Sequence, residues 1–406
     1  MNRRQYLHHM AALAALTLID GRVWAVPDAA QAGGNRLLVV MLRGAYDGNS
    51  LLVPHGFPFY YAARPNIAIP HPQSGQTDSA IDIGHGYGLH PVLRDSVWPL
   101  FQRRQLAFVP FSGSGDMSRS HFEAQDLMEL GVAPGPHLDE SSGFLERLVQ
   151  VLRDGHRPAG GIAFTNNLPL SFKGPHIVPN IALNGNVQTL PDNAETERIK
   201  ALYAGSALDS YLQSGIRTRA EIAATLGDMQ QSARGAAHPD QFVAMTGKMA
   251  RLMRDDPRYS IAFVDLGGWD SHINQGAAQG MLASHLDQLG KGLRMFADTM
   301  GDAAWRHTVV VVMSEFGRTF RENGTRGTDH GHGNTLWVLG GSIQGGRLAG
   351  EMGDLNEASL FQQRDTPILN DYRSVLANLM QRMYALDDRA LEQVFPHVTP
   401  HEFALL

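Results

Sequence analysis

A doubly wound, mainly parallel α/β sheet sandwiched by helices is the fold class the sequence predicts, on two observations. Five short runs are apolar almost throughout: RLLVVML (36–42), QLAFVPF (105–111), YSIAFVDLG (259–267), HTVVVVMSE (307–315) and TLWVLGG (335–341). Strands without polar alternation are buried on both faces, as in a parallel sheet covered by helices. Between them lie stretches of helical periodicity, HFEAQDLMELG (121–131), GFLERLVQVLRDG (143–155) and MLASHLDQLGKGLRMFADTM (281–300). Strands alternating with helices wind into such a sandwich.

Taken in order, each run is bounded by turn residues, such as Gly34-Asn35 and Gly44 around the first and Gly267-Gly268 after the third. Residues 54–90 are rich in Pro, Gly and aromatics and read as an ordered loop excursion. Residues 195–256 carry Ala, Arg, Glu and Met at helical spacing and read as a helical insertion. In NDYRSVL, Asp371 and Arg373 are placed to cap and pair on a C-terminal helix. No internal repeat is present, and residues 26–406 are predicted to form one domain.

A chain of 406 residues that is 43% hydrophobic and 18% charged can bury a large core. Its net charge of −6 comes without a basic stripe, which argues against nucleic acid as a partner. No cysteine is present, so disulfides, thiolate ligands and a cysteine nucleophile are excluded. At the start, Arg3 and Arg4 followed by Gln5, Tyr6 and Leu7 resemble a twin-arginine export signal. Met10 to Ile19 form an apolar run too short to span a bilayer, and Val23-Trp24-Ala25 offers a cleavage site. Residues 1–25 are therefore expected to be a signal peptide handled by the twin-arginine export machinery. The mature protein is then periplasmic or secreted, exported folded and without a membrane span. The alternative is an arginine pair ahead of an amphipathic helix. The sequence does not determine the oligomeric state.

Ligands of open parallel sheets bind beyond the C-terminal ends of the strands. Beyond the first run stand Arg43, Asp47 and Asn49; beyond the third, Asp270 and His272; beyond the fourth, Glu315. A further cluster, Asp329, His330 and His332, precedes the fifth run. Residues two apart on an extended segment share a side, so His330 with His332, and Asp270 with His272, could each present paired ligands. Asp329, also a candidate metal ligand, would then face the other way unless the glycines turn it inward. Glycines at 327, 331 and 333 would let the backbone approach an ion. Mixed carboxylate and imidazole ligation suits a divalent metal, zinc, manganese or iron, with calcium or magnesium favoured only if oxygen ligands dominate. Singly, a strand-end aspartate is more often a turn or helix cap than a ligand.

In SGSGDMSRSHFEAQDLMEL (112–130), Ser120 and Glu123 fit a capping box. Ser118 beside Arg119 then lies at a helix start, where an anion is favoured. The other reading is a serine in a glycine-rich loop. His90, before Pro91, is either a packed loop residue or a group reaching the same cleft.

The order of these pieces resembles the alkaline phosphatase superfamily, which includes phosphatases, sulfatases and phosphomutases. The resemblance implies an alkaline-phosphatase-like fold, with Asp47 as first metal ligand and Ser118 at the nucleophile position. It places Asp270 and His272 in the Asp/His cluster, Glu315 at a strand-end acid site and DHGHGN in the late histidine segment. More narrowly, RGAYDGNS, LHPVL, SRSHFEAQD, GGWDSH, SEFGRT and DHGHGN are similar to a bacterial family of exported proteins called domain of unknown function 1501. In this frame Ser118, Arg119 and Arg43 are the candidate catalytic residues, and Asn49, His90 and His121 the candidate substrate contacts. Three departures stand out. Gly115 occupies the position a sulfatase converts to formylglycine; Asn274 stands four residues after Asp270, where a phosphatase places its cluster histidine, and His272 comes two after instead; and Phe316 follows Glu315 in place of the usual acid-His or acid-Asn pair. They predict a two-metal site that is altered or reduced to one ion.

Two functions follow: a metal-dependent hydrolase of an anionic phosphate or sulfate ester, in which the ion activates Ser118 or water, or a non-catalytic metal- or partner-binding protein on the same scaffold.

Overall fold

The computed structural model describes residues 34–73, 75–135, 141–183, 198, 200–206, 208–209, 212 and 240–406. The expected signal peptide and most of the expected helical insertion lie outside the described residues.

Eleven strands are present among them: β1 (Arg36–Leu42), β2 (Leu52–Val53), β3 (Ile81–Gly84), β4 (Tyr87–Leu89), β5 (Leu106–Gly113), β6 (Gly161–Phe164), β7 (Ile261–Leu266), β8 (Thr308–Met313), β9 (Asn334–Gly340), β10 (Arg347–Leu348) and β11 (Asn370–Asp371). The main sheet runs β10-β5-β9-β8-β1-β7-β6, with β11 beside β5. β1 pairs parallel with both β7 and β8, and β6 parallel with β7. Only β9 runs against its neighbours β5 and β8. The predicted sandwich is thus the observed class. All five expected runs are strands, while β6 and the two-residue strands β10 and β11 carry too little pattern to read. The excursion at 54–90 holds a short helix (Pro58–Ala63) and strands β3 and β4, which form a separate sheet with β2 just before it, in the order β2-β4-β3.

The continuous apolarity of β1 has a simple cause. Leu38, Val40 and Leu42 join a core with helices Asp240–Asp255 and Met281–Trp305, while Leu37, Val39 and Met41 join a second core with helices Phe144–Asp154, Tyr372–Tyr384 and Asp388–Val394. Period-two alternation sends successive side chains to opposite faces, and both faces are covered. Asp371 caps helix Tyr372–Tyr384 through the Arg373 amide and pairs with the Arg373 guanidinium at 2.6 Å, as expected. No described helix is long and apolar enough to cross a membrane.

This topology puts the segments after β1, β7 and β8 and the segment before the antiparallel β9 at one edge. Helix His121–Leu130, which follows β5, starts beside them.

Candidate metal centre

Three imidazoles and one carboxylate meet at that edge. His121 Nε2 lies 3.0 Å from His330 Nε2, and His272 Nε2 lies 3.1 Å from His330 Nε2. Asp270 reaches His272 Nε2 at 3.1 Å and both His121 and His330 Nε2 at 3.6 Å. The ligand atoms of His121, Asp270 and His330 all lie within 4.8 Å of one another.

Each ring is turned by an oxygen behind it. His121 Nδ1 is 2.8 Å from Glu315 Oε1, His330 Nδ1 is 3.0 Å from the Arg119 carbonyl, and His272 Nδ1 is 3.1 Å from Asp329 Oδ1. Those oxygens can only accept, so each neutral ring donates from Nδ1 and points its Nε2 lone pair inward. Three lone pairs and a carboxylate around one point repel unless a metal ion or a proton lies among them. The donor set therefore fits a divalent metal, and three histidines with one carboxylate suit zinc, manganese or iron.

The supports are buried. Glu315 is 0% exposed and its Oε1 accepts at 2.8 Å from His121, from the Gly44 amide and from Gln125 Nε2, while Ser314 Oγ donates to Oε2. Burial raises the Glu315 pKa, but these donors overcome it and hold the carboxyl below its usual value. The same contact raises His121, whereas burial lowers His330. Asp270 is also kept below its usual value, because Arg318, at 2.7 Å, outweighs its partial burial. Arg318 is itself buried and held by Thr328.

The glycines of RGTDHGHGN serve a different purpose from the one expected. A Cβ on Gly327 would stand 2.3 Å from the His272 carbonyl oxygen, and one on Gly331 2.4 Å from the Arg318 carbonyl carbon. They let backbone approach backbone, so that Arg318 and His330 pair across an isolated bridge.

The structure sorts the remaining expected residues. Asp47 is not at the cluster. It is fully buried in a bidentate ion pair with Arg64 at 2.5 and 3.0 Å, with Ser50 and Gln275 also donating to it. A hydrogen-bond chain through Gln275, Thr328 and Arg318 links it to Asp270. His332 does not share a side with His330. It stacks on Phe361 at 4.7 Å, because the segment holds only an isolated bridge and the two-residue period applies to a regular strand. Asp329, expected to face away, instead orients His272. His121, expected to contact substrate, is a central member of the cluster.

Ser118 is exposed and donates to Asp116 Oδ2 at 2.6 Å. Arg119 has a φ of 51°, in the left-handed region, which turns its carbonyl to His330 while its guanidinium binds Asp365 at 2.7 Å and Gln362 at 2.7 Å. Arg43 is likewise committed, to Asp265 and Glu129 at 2.7 Å and Gln125 at 2.8 Å. Asn49 donates to Thr366 Oγ1 at 3.2 Å. Ser120 takes the N-cap position without a side-chain hydrogen bond, so the expected capping box does not form. Arg318, Gln125 and Gln275 are the residues that sequence reasoning missed; SEFGRT held the signal for the first of them.

His90 is the packed loop residue rather than a substrate contact. It is fully buried, with Nε2 3.1 Å from the Ala277 carbonyl and Nδ1 accepting from Val92. Burial pushes its pKa down to about 4. It stays neutral when folded but protonates near 6.5 when unfolded, so stability is present above pH 6.5 and is lost as pH falls toward 4. We expect a loss of roughly 3 kcal/mol across that window. His90→Gln should flatten the slope of unfolding free energy with pH by this amount; an unchanged slope would refute the assignment.

Several solved structures are similar to the chain at low identity. A protein in the alkaline phosphatase superfamily from Vibrio parahaemolyticus is 10% identical, with 87% of this chain and 67% of that chain covered and a TM-score of 0.42. The lipoteichoic acid synthase LtaP from Listeria monocytogenes is 9% identical, covering 87% and 72% with a TM-score of 0.38. The alkaline phosphatase from the Antarctic bacterium TAB5 is 13% identical, covering 76% and 92% with a TM-score of 0.32. No curated protein matches the sequence. Residues 111–395 match the family described as "Protein of unknown function (DUF1501)", and the chain belongs to that family.

Proposed function

We propose that the protein is an exported, metal-dependent hydrolase of a phosphate or sulfate ester, its ion held by His121, Asp270 and His330 with His272 beside them. The observation that carries this reading is the inward turn of three Nε2 atoms, each fixed by an oxygen on Nδ1, around one carboxylate. A divalent ion bound there would polarise the ester and stabilise the charge that develops on its oxygens. Arg318 keeps Asp270 ionised and aimed at that point. Glu315 holds the His121 ring, and Asp329 the His272 ring. Ser118 stands one residue before the carbonyl that anchors His330. Its hydroxyl proton already points at Asp116, the base that would receive it in nucleophilic attack. The signal-like first 25 residues support export.

One observation favours a non-catalytic binding protein instead: the guanidiniums of Arg43, Arg119 and Arg318 are each held by a carboxylate, which occupies the cations that would grip anionic oxygens. One experiment separates the two. Protein purified without added metal is analysed for its elements and assayed on aryl phosphates and aryl sulfates. The hydrolase reading expects bound metal and turnover that a chelator abolishes. Bound metal without turnover across the panel moves the conclusion to the binding protein, and metal-free native protein overturns the hydrolase and metal-binding readings together.

A further inference from the structure

Helix His121–Leu130 presents one stripe of side chains to the metal centre and to a charged cluster behind it. His121, Gln125 and Glu129 are spaced four apart and so lie on one helix face. The His121 ring meets His330, Gln125 Nε2 donates to Glu315 Oε1 at 2.8 Å, and Glu129 pairs with the Arg43 guanidinium at 2.7 Å. Arg43 also holds Asp265 at 2.7 Å and donates to Gln125 Oε1 at 2.8 Å. It stands one residue past β1, and Asp265 lies near the end of β7, so a single guanidinium ties two strand ends to the helix that delivers His121.

Gln125 is the joint between the two. The ends of its amide are alike in shape and opposite in polarity, since the oxygen accepts and the nitrogen donates. Arg43 can only donate and the Glu315 carboxylate can only accept, so Arg43 fixes which end faces Glu315. Turned the other way, the amide would set its oxygen against Glu315 Oε1 and its nitrogen against a guanidinium. Glu315 Oε1 accepts in turn from His121 Nδ1 at 2.8 Å, and that contact points His121 Nε2 at the centre. We infer that Arg43 and Gln125 are positioning residues for the metal centre, acting through Glu315 on His121. This rests on the metal-centre part of the reading above and is independent of turnover.

The test is zinc binding by equilibrium dialysis, with the histidine ring protons of the zinc-loaded protein followed by NMR. Gln125→Met keeps the side-chain length and removes both amide contacts, while Arg43→Met leaves the Gln125 amide free to turn. Each should weaken zinc binding about three- to tenfold, less than the loss of a ring's direct partner, because each acts one or two contacts further out. The His121 Nδ1 proton, shared with Glu315, should shift in both variants, while the His330 Nδ1 proton, held by the Arg119 carbonyl, stays in place. A residue that only supported the fold would move both signals or neither. Arg43→Met leaves Glu129, 3% exposed, without its cation. Should that variant fail to fold, Arg43→Met combined with Glu129→Gln removes the stranded charge and gives the same readout. Unchanged affinity and an unchanged His121 signal in either the Gln125 or the Arg43 variant overturn the inference and leave the metal centre standing, as does a joint shift of the His121 and His330 signals. Wild-type protein that binds no zinc overturns the metal centre and the inference with it.

Discussion

His330→Ala is expected to lower zinc or manganese affinity at least a hundredfold and to abolish ester turnover that excess metal does not restore. His330 is the ring whose Nε2 touches both other imidazoles, at 3.0 and 3.1 Å, so its loss opens the middle of the donor set. Glu315→Gln provides the graded comparison. The amide oxygen can still accept from His121, Gly44 and Gln125, and the amide nitrogen can donate to Ser314 Oγ, whose single proton then goes to the Leu42 carbonyl at 2.6 Å. Only the charge behind the His121 ring is removed, a change that costs about 10- to 100-fold in metal affinity. Excess metal should therefore rescue Glu315→Gln but not His330→Ala. Metal titration followed by equilibrium dialysis reads both. Unchanged affinity in His330→Ala would remove the proposed centre.

The second large effect is on folding. Arg64→Met should destabilise the protein by about 3 to 5 kcal/mol, measured as a shift of the denaturant midpoint. All five guanidinium hydrogens of Arg64 have acceptors: both Asp47 oxygens, Ser50 Oγ and the carbonyls of Thr319 and Phe320. Arg64 and Asp47 are both 0% exposed, so the variant strands a carboxylate in the core. Replacing both, Arg64→Met with Asp47→Leu, should recover much of the loss, since no isolated charge remains. Metal content should survive in the double variant, because Asp47 serves the fold; loss of the ion there would return Asp47 to the ligand set. A cost below about 1 kcal/mol for Arg64→Met would show that the pair is not as desolvated as its geometry indicates.

Much of the fold was legible because apolar run length and helical period are local properties. RLLVVML and HTVVVVMSE read as doubly covered strands before any contact was known, and the strand β1 does divide its side chains between two cores. The site was legible in part for the same reason. Asp270, His272, Glu315 and His330 stand at strand ends where a parallel sheet collects its ligands. Residue type alone could not separate Asp47 from Asp270: each is an aspartate a few residues beyond a buried strand. What divides them is a distant arginine, Arg64 for one and Arg318 for the other, and the first pair lies wholly in the core while the second borders solvent.

His332 left the cluster and His121 joined it for a reason of the same kind. The two-residue period that grouped His332 with His330 fails where the chain makes an isolated bridge. His121 joins His330 across 209 positions because a helix start happens to meet the segment before β9. Local pattern was enough to specify the sandwich, the edge at which chemistry could occur and the imidazole and carboxylate donors available there. Tertiary structure alone decided which of those donors converge, because ring orientation and burial depend on contacts between segments far apart in the chain.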